Sequence, residues 1–290
     1  MRLSCLCFIL LSATIGVHAA PIFFSTGDVN GQMAMASRPS SAGKIEIEAA
    51  DDFLLTTNAR ITSATFTGLL TGGATIANID QVVVEIYRVF PSDSDVTRTS
   101  GPPTFSTSQV PTRVNSPSDV ELDGRDSGMS ELSFTASVLA TTVTASNSVL
   151  NGIHSMPGQT TGGDGVVTGT EILLSTMFAT PFELSAGHYF FVPQVGVTTA
   201  NGNFYWLSGT RPIVAPGGTP FAPDLQAWIR NQNLDPDWLR VGTDIVGGTT
   251  PPTFNGAFTL TGESVPEPAT WALVPPGIAV LLLLRRRREA

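Results

Sequence analysis

One acidic run in the chain reads DVELDGRDSGMSE, Asp119 to Glu131. Asp119, Glu121 and Asp123 occupy the first, third and fifth positions of a would-be calcium loop. Gly124 occupies the sixth, where such loops turn sharply. The bidentate acid belongs at the twelfth position, but that is Ser130, and Glu131 falls one residue late. No helical pattern flanks the segment, so an EF-hand is disfavoured. A looser Ca2+ site on Asp119, Asp123 and Asp126 competes with a plain solvated acidic turn between strands, and the turn is the simpler reading. No other cofactor is expected.

A second acidic pair, Asp51-Asp52, sits in IEIEAADDF just before an expected strand. Neighbouring residues on a strand point to opposite faces, so at most one of the two can look inward. An Asx turn or bulge acid is the simple reading, and a carboxylate ligand of a structural cation is the other. For nucleophilic catalysis the candidate bases are few. Beyond the first 19 residues the only imidazoles are His154, in a Gly/Pro-rich stretch, and His188, just after a strand corner. His154 is expected at the surface, and His188 in solvent or paired across strands. No G-x-S-x-G elbow, H-E-x-x-H zinc helix, Walker loop or dinucleotide fingerprint occurs. Paired carboxylates for glycoside hydrolysis depend on spatial separation, which sequence does not display. Catalytic residues are therefore named as none. Tyr205, Trp206, Trp228 and Trp238 fall within 34 residues. Exposed on a sheet they would form a platform for sugar rings; in the core they would only pack.

The elements that must carry these residues are β-strands. Thr, Ser, Gly, Val and Phe dominate, which is strand-and-turn composition. ITSATFTGLL (residues 61–70) alternates. QVVVEIYRVF (residues 81–90) is so β-branched that it is expected to be central and buried on both faces. ELSFTASVLATTVTA (residues 131–145) supplies one or two strands. Residues 170–195 read as strand, turn, strand, with a tight corner at Ala186-Gly187. One stretch departs from this pattern. In residues 222–242, Leu225, Trp228 and Ile229 fall at i, i+3 and i+4 after Pro223 and Asp224, which predicts one short helix. The fold class is therefore mainly β: an antiparallel, jelly-roll-like β-sandwich with one short helix. It forms one domain, with two smaller ones as the alternative. Long loops at 100–119, 155–169 and 208–223 interrupt it.

Both ends read as addresses. Residues 1–19 have Arg2, an apolar run from Leu3 to Val17 and small residues at Val17 and Ala19: a secretory signal peptide, cut after Ala19. Cys5 and Cys7 both lie in it, so the remaining chain has no Cys and no disulfide. Residues 20–264 carry ten Lys/Arg against 22 Asp/Glu, a net of −12. Such a body repels nucleic acid, which needs clustered cations.

The chain ends VPEPATWALVPPGIAVLLLLRRRREA, residues 265–290. Residues 269–284 are an uncharged run expected to form a single hydrophobic helix. As a helix the run spans about 24 Å, against a hydrocarbon core of about 30 Å. Arg285, Arg286, Arg287 and Arg288 follow as a stop, on the cytoplasmic side. Val265, Pro266, Glu267 and Pro268, the apolar run and the Arg cluster, in that order behind a signal peptide, resemble the PEP-CTERM sorting signal of exported bacterial proteins. Pro275-Pro276 depart from the usual Leu/Gly/Ala run. The resemblance covers about 26 residues. It implies processing by an exosortase after signal peptidase has acted, transient residence in the inner membrane, then the cell surface or an exopolysaccharide matrix. Residues 20–264, ADDF included, also look like the uncharacterised β-rich bodies that such proteins carry.

The expected function is a non-enzymatic structural or interaction module, exported and sorted. The alternatives are an exopolysaccharide-binding module built on the four aromatics, a secreted glycan hydrolase needing two facing carboxylates, and a plain uncleaved membrane anchor.

Overall fold

The computed structural model describes residues 20–41, 43–97, 115–154, 160–210 and 226–265. The chain is mainly β, arranged in two sheets. The larger sheet runs β1 (Pro21–Ser25), β15 (Phe258–Ser264), β4 (Ala59–Leu70), β11 (Phe204–Gly209), β2 (Val29–Ala36), β8 (Asn147–Val149). Along its other edge β4 pairs throughout with the long β9 (Val167–Leu184), which in turn carries β7 (Leu132–Ala145). The short β14 (Asn255–Gly256) pairs with β11. The second sheet runs β13 (Leu239–Arg240), β12 (Trp228–Asn231), β3 (Ile47–Leu55), β10 (Gly187–Val197), β5 (Ile79–Arg88), β6 (Asp123–Asp126). Among the described strands every pairing is antiparallel except β2 with β8.

The two sheets share one core. Phe191 of β10 stacks on Phe258 of β15 at 4.8 Å and meets Phe66 of β4 edge-on at 6.1 Å. In β3 the alternation is clean: Ile47, Ala49, Phe53 and Leu55 join this core, while Ala50 belongs to a second cluster on the sheet's other face. That cluster adds Tyr87, Val89, Phe190, Val192, Trp228 and Trp238. The outer face of the second sheet is thus buried as well, and it carries most of the ionisable groups discussed below.

Four expectations about elements change. Trp228–Asn231 is a strand, not a helix: Trp228 pairs with Ala50 on one side and with Arg240 on the other. Trp228 and Ile229 fit i, i+3, i+4 spacing with Leu225, but they are adjacent and point to opposite faces of a sheet, Ile229 to the main core and Trp228 to the second cluster. The helical turn lies later, a single π-helical segment at Val241–Val246. Leu225 is outside the described residues. β5 is one strand from the sheet edge, so Val83 and Glu85 stay half-buried rather than covered on both faces. Asp51 and Asp52 lie in the middle of β3, not at its start. The corner after β9 is not a hairpin turn: β9 and β10 belong to different sheets.

Candidate functional site

The most heavily charged buried region lies on the outer face of the second sheet, around Arg230 of β12. Cross-strand register places Arg230 opposite Glu48. Both guanidinium edges are used there. Nε pairs with Glu48 Oε2, and Nη2 donates to Glu48 Oε1 at 3.0 Å and to the Tyr87 hydroxyl at 2.9 Å. Nη1 donates to the carbonyls of Asp119 and Pro236 and pairs with Asp235 at 2.8 Å. Trp238 covers the guanidinium at 4.3 Å and fixes its own indole by donating to Ser118 O. Burial opposes the charge on Arg230, but Glu48, Tyr87 and Asp235 outweigh it, and its pKa rises above the ordinary arginine value.

The same face collects carboxylates. Tyr87 donates to Glu48 Oε1 at 2.7 Å and lies 3.2 Å from Glu85 Oε2. Gln194 reaches Glu85 from the next strand at 3.5 Å. Burial, then the charges of Glu48 and Glu121, push Glu85 well above the usual carboxylate range. Burial and Glu48 push Glu46 upward too. Together these groups line a cavity of about 390 Å³. Tyr87 is raised as well, through burial and then Glu48.

Asp51 points into the core between the sheets, where Oδ2 accepts from Gly256 N–H at 2.9 Å. Burial, then Asp52, raise its pKa well above the ordinary value. Asp52 points the other way and pairs with His188 Nε2 at 2.5 Å, both side chains being buried. The pair is an Asp and a His on adjacent strands β3 and β10, with His188 stacked on Phe190. His188 is therefore paired across strands, as one of its two readings had it. His154 Nε2 lies 3.2 Å from Asp244 O and is half-buried.

The aromatic platform is not formed. Tyr205, Trp206, Trp228 and Trp238 are 6, 0, 0 and 1% exposed. Tyr205 and Trp206 lie on β11 in the middle of the larger sheet, and Trp228 and Trp238 pack in the second cluster, so none offers a ring face to a sugar. Asp119, Asp123 and Asp126 each do a separate local job. Asp119 accepts from the Asp95 N–H at 2.9 Å. Asp123 forms a two-point pair with Arg125. Asp126 caps the turn Ser127–Met129 and accepts from Gln81. Among the described residues no three His, Cys, Asp or Glu side chains stand together as a metal site.

Ala19, Pro266, Glu267, Pro268 and Arg285 to Arg288 lie outside the described residues. Val265 is described, and its N–H donates to Asn58 O at 2.8 Å. Among the described residues no helix is long and apolar enough to cross a membrane. No protein-family model matches the chain, and no curated protein or solved structure proves similar to it.

The Arg230 cluster escaped sequence reasoning, although one signal was available. Glu46 and Glu48 alternate with Ile45 and Ile47, and Glu85 interrupts the run VVVEIY. A charge inside an otherwise apolar strand must either face solvent or find a partner.

Proposed function

We propose that this chain is an exported, jelly-roll-like β-sandwich. On this reading it serves at the cell surface or in the surrounding matrix as a structural and interaction module, without a catalytic role. The observation that carries it is how the β body closes. The first strand, β1, pairs with the last, β15, over five residues. Ala20 N–H donates to Ser264 Oγ at 2.9 Å, and Ser264 N–H donates to Ala20 O at 2.7 Å. The segments read as signal peptide and sorting tail therefore attach side by side at a sealed seam. Signal peptidase and an exosortase can remove both without cutting any strand pairing. The acidic, Cys-free body suits this setting because its core, not disulfides, holds it together.

Two arrangements favour binding over hydrolysis. Glu48, the partner that would face Glu85 as a second catalytic carboxylate, has both oxygens engaged by Arg230. His188 is sealed against Asp52.

Mass spectrometry of the protein recovered from the surface or medium of producing cells tests the delivery. The expected N-terminus is Ala20 and the expected C-terminus lies near Pro266–Pro268. A mature protein that still ends at Ala290 would make the tail a permanent anchor and overturn the processing claim.

A further inference from the structure

Seven Lys/Arg side chains belong to the described residues. Five have a carboxylate partner: Arg60, Arg88, Arg125, Arg230 and Arg240. In a body with 22 acids this is the ordinary outcome. Arg38 and Lys44 are the two that form no ion pair with a described residue, and both line the same cleft. The cleft has a volume of about 540 Å³. It is assembled from four segments: the turn between β2 and β3, the stretch after β8, the loop between β10 and β11, and the stretch after β12. Five amides complete it, Asn151, Asn201, Asn203, Asn231 and Asn233, and no Asp or Glu is among the described lining residues.

The two cations have different tasks. Lys44 Nζ donates to three carbonyls, those of Val197, Thr199 and Gly202, at 3.1, 2.9 and 2.7 Å. All three of its protons are used, so it holds the β10–β11 loop and contributes charge rather than a free donor. Arg38 donates from Nε to Ile45 O and from Nη1 to Asn203 Oδ1. Its Nη2 forms no hydrogen bond with a described residue, and Arg38 is one of the residues that line the cleft. Burial lowers the pKa of Arg38. Burial and then Arg38 lower that of Lys44, against the pull of Asp80. The cleft therefore holds two cations, of which Arg38 lowers the pKa of Lys44, and a guanidinium edge with no hydrogen-bond partner among the described residues.

We propose that this cleft binds an acidic saccharide, with a uronate carboxylate on Arg38 and ring hydroxyls on the Asn amides. The planar fork of Arg matches a carboxylate better than a point cation does. Amides both donate and accept, as hydroxyls do, so five of them around one cation suit a polyhydroxylated ligand. The volume exceeds what a small inorganic anion needs and falls in the range of organic ligand sites. The half-exposed Ile45 and Leu150 supply an apolar wall for the C–H face of a ring. The choice of a saccharide over another organic carboxylate rests on the extracellular reading above; the anion site rests on the cleft alone.

The test is calorimetric titration of the full-length chain in mild detergent with tetragalacturonate. The fully methyl-esterified tetramer and acetate are the two controls. Binding of the free acid is expected, weakened at least tenfold by esterification and at least tenfold by Arg38→Gln. Arg60→Gln, which removes two exposed ion pairs, with Glu183 and Glu263, is expected to leave it unchanged. Should Arg38→Gln fold poorly, Asn233→Asp places a carboxylate at the exposed rim and is expected to weaken the acid several-fold while sparing the ester. Equal binding of acid and ester, unchanged binding by both variants, saturation by acetate at the same concentration, or no binding at all would each overturn the proposal. Uronate binding by a chain that still ends at Ala290 would break only the delivery reading. Correct processing without uronate binding would break only this one.

Discussion

Arg230 and Arg38 both line open clefts, one of about 390 Å³ and one of about 540 Å³. Around Arg230 stand Glu48 in a two-point pair, Asp235, the Tyr87 hydroxyl, two carbonyls and the face of Trp238. Around Arg38 stand one carbonyl and one amide, with no carboxylate paired to it among the described residues. The first guanidinium is enclosed by the protein's own acceptors, so its electrostatics serve the fold. The second has no partner for its Nη2 among the described residues, which is what the proposed ligand would use. The volume of a cleft does not separate the two roles. What separates them is whether each charge already has its counter-charge.

That contrast is broken most severely at Arg230. Arg230→Met removes one member of a buried pair and leaves Glu48 uncompensated beside Glu85 and Glu46. The expected loss is about 3–5 kcal/mol, read as a fall in the midpoint of urea unfolding with an unchanged slope. If the loss stays below about 1 kcal/mol, water reaches Glu48 freely and the cluster is not structural. Next comes Lys44, the cation on the structural side of the amide cleft. Lys44→Met removes the ammonium donor from the carbonyls of Val197, Thr199 and Gly202, of which Thr199 O keeps the Gly202 N–H, and the expected cost is about 2 kcal/mol. Hydrogen exchange should localise the change to residues 197–203.

Glu85 sharpens the comparison from the acidic side, because it carries charge in excess of what Arg230 neutralises. It is faced by Glu48 and Glu46 from the β3 side, Glu121 from the loop before β6, Tyr87 on its own strand and Arg230 from β12. Its folded pKa is raised, so the folded state binds this proton more tightly than the unfolded chain does. The resulting stability is complete below the unfolded value of about 4.3 and is lost as pH rises through the folded pKa. Glu85→Gln is therefore expected to match the wild type near pH 4. At pH 7 it should be the more stable of the two, because the wild type must then either hold a proton that its unfolded chain releases or bury an extra charge. Thermal melts at the two pH values check this. A variant less stable than the wild type at pH 7 would mean that Glu85 is ionised and paired.

The two clefts also differ in how much of them can be read from the sequence. The strands themselves are legible: alternation marks β4, and the run of residues 170–195 divides into β9 and β10 where Ala186-Gly187 says it should. Half of the Arg230 cluster is legible too, in the acids that interrupt β3 and β5. Arg230 itself is hidden because Leu225, Trp228 and Ile229 mimic helical spacing, and only the pairing of β12 with β3 makes that segment a strand. The aromatic platform failed for a related reason. Long loops nearby suggested exposure, but a central strand and a second apolar cluster bury all four rings. The amide cleft has no local signature. Its described lining residues span positions 38 to 233, and the relevant fact, that Arg38 Nη2 has no partner among the described residues, is a property of the fold.

The smallest effect on stability is expected at Arg38, and its smallness is the point. Arg38 is half-buried, and neither of its two hydrogen bonds goes to a charged group. Arg38→Gln keeps an amide donor close to Asn203 and removes a cation that presses on Lys44, so the losses and the gain nearly cancel. The expected change is under about 0.5 kcal/mol, against several for Arg230→Met. A ligand that binds only the folded state stabilises it by about 2.7 kcal/mol when present at 100 times its dissociation constant. Tetragalacturonate should therefore raise the melting temperature of the wild type and of Glu85→Gln alike, and raise that of Arg38→Gln by about half as much or less. If Arg38→Gln instead costs as much as Arg230→Met, Arg38 is a structural cation like Arg230, and the difference between the two clefts disappears.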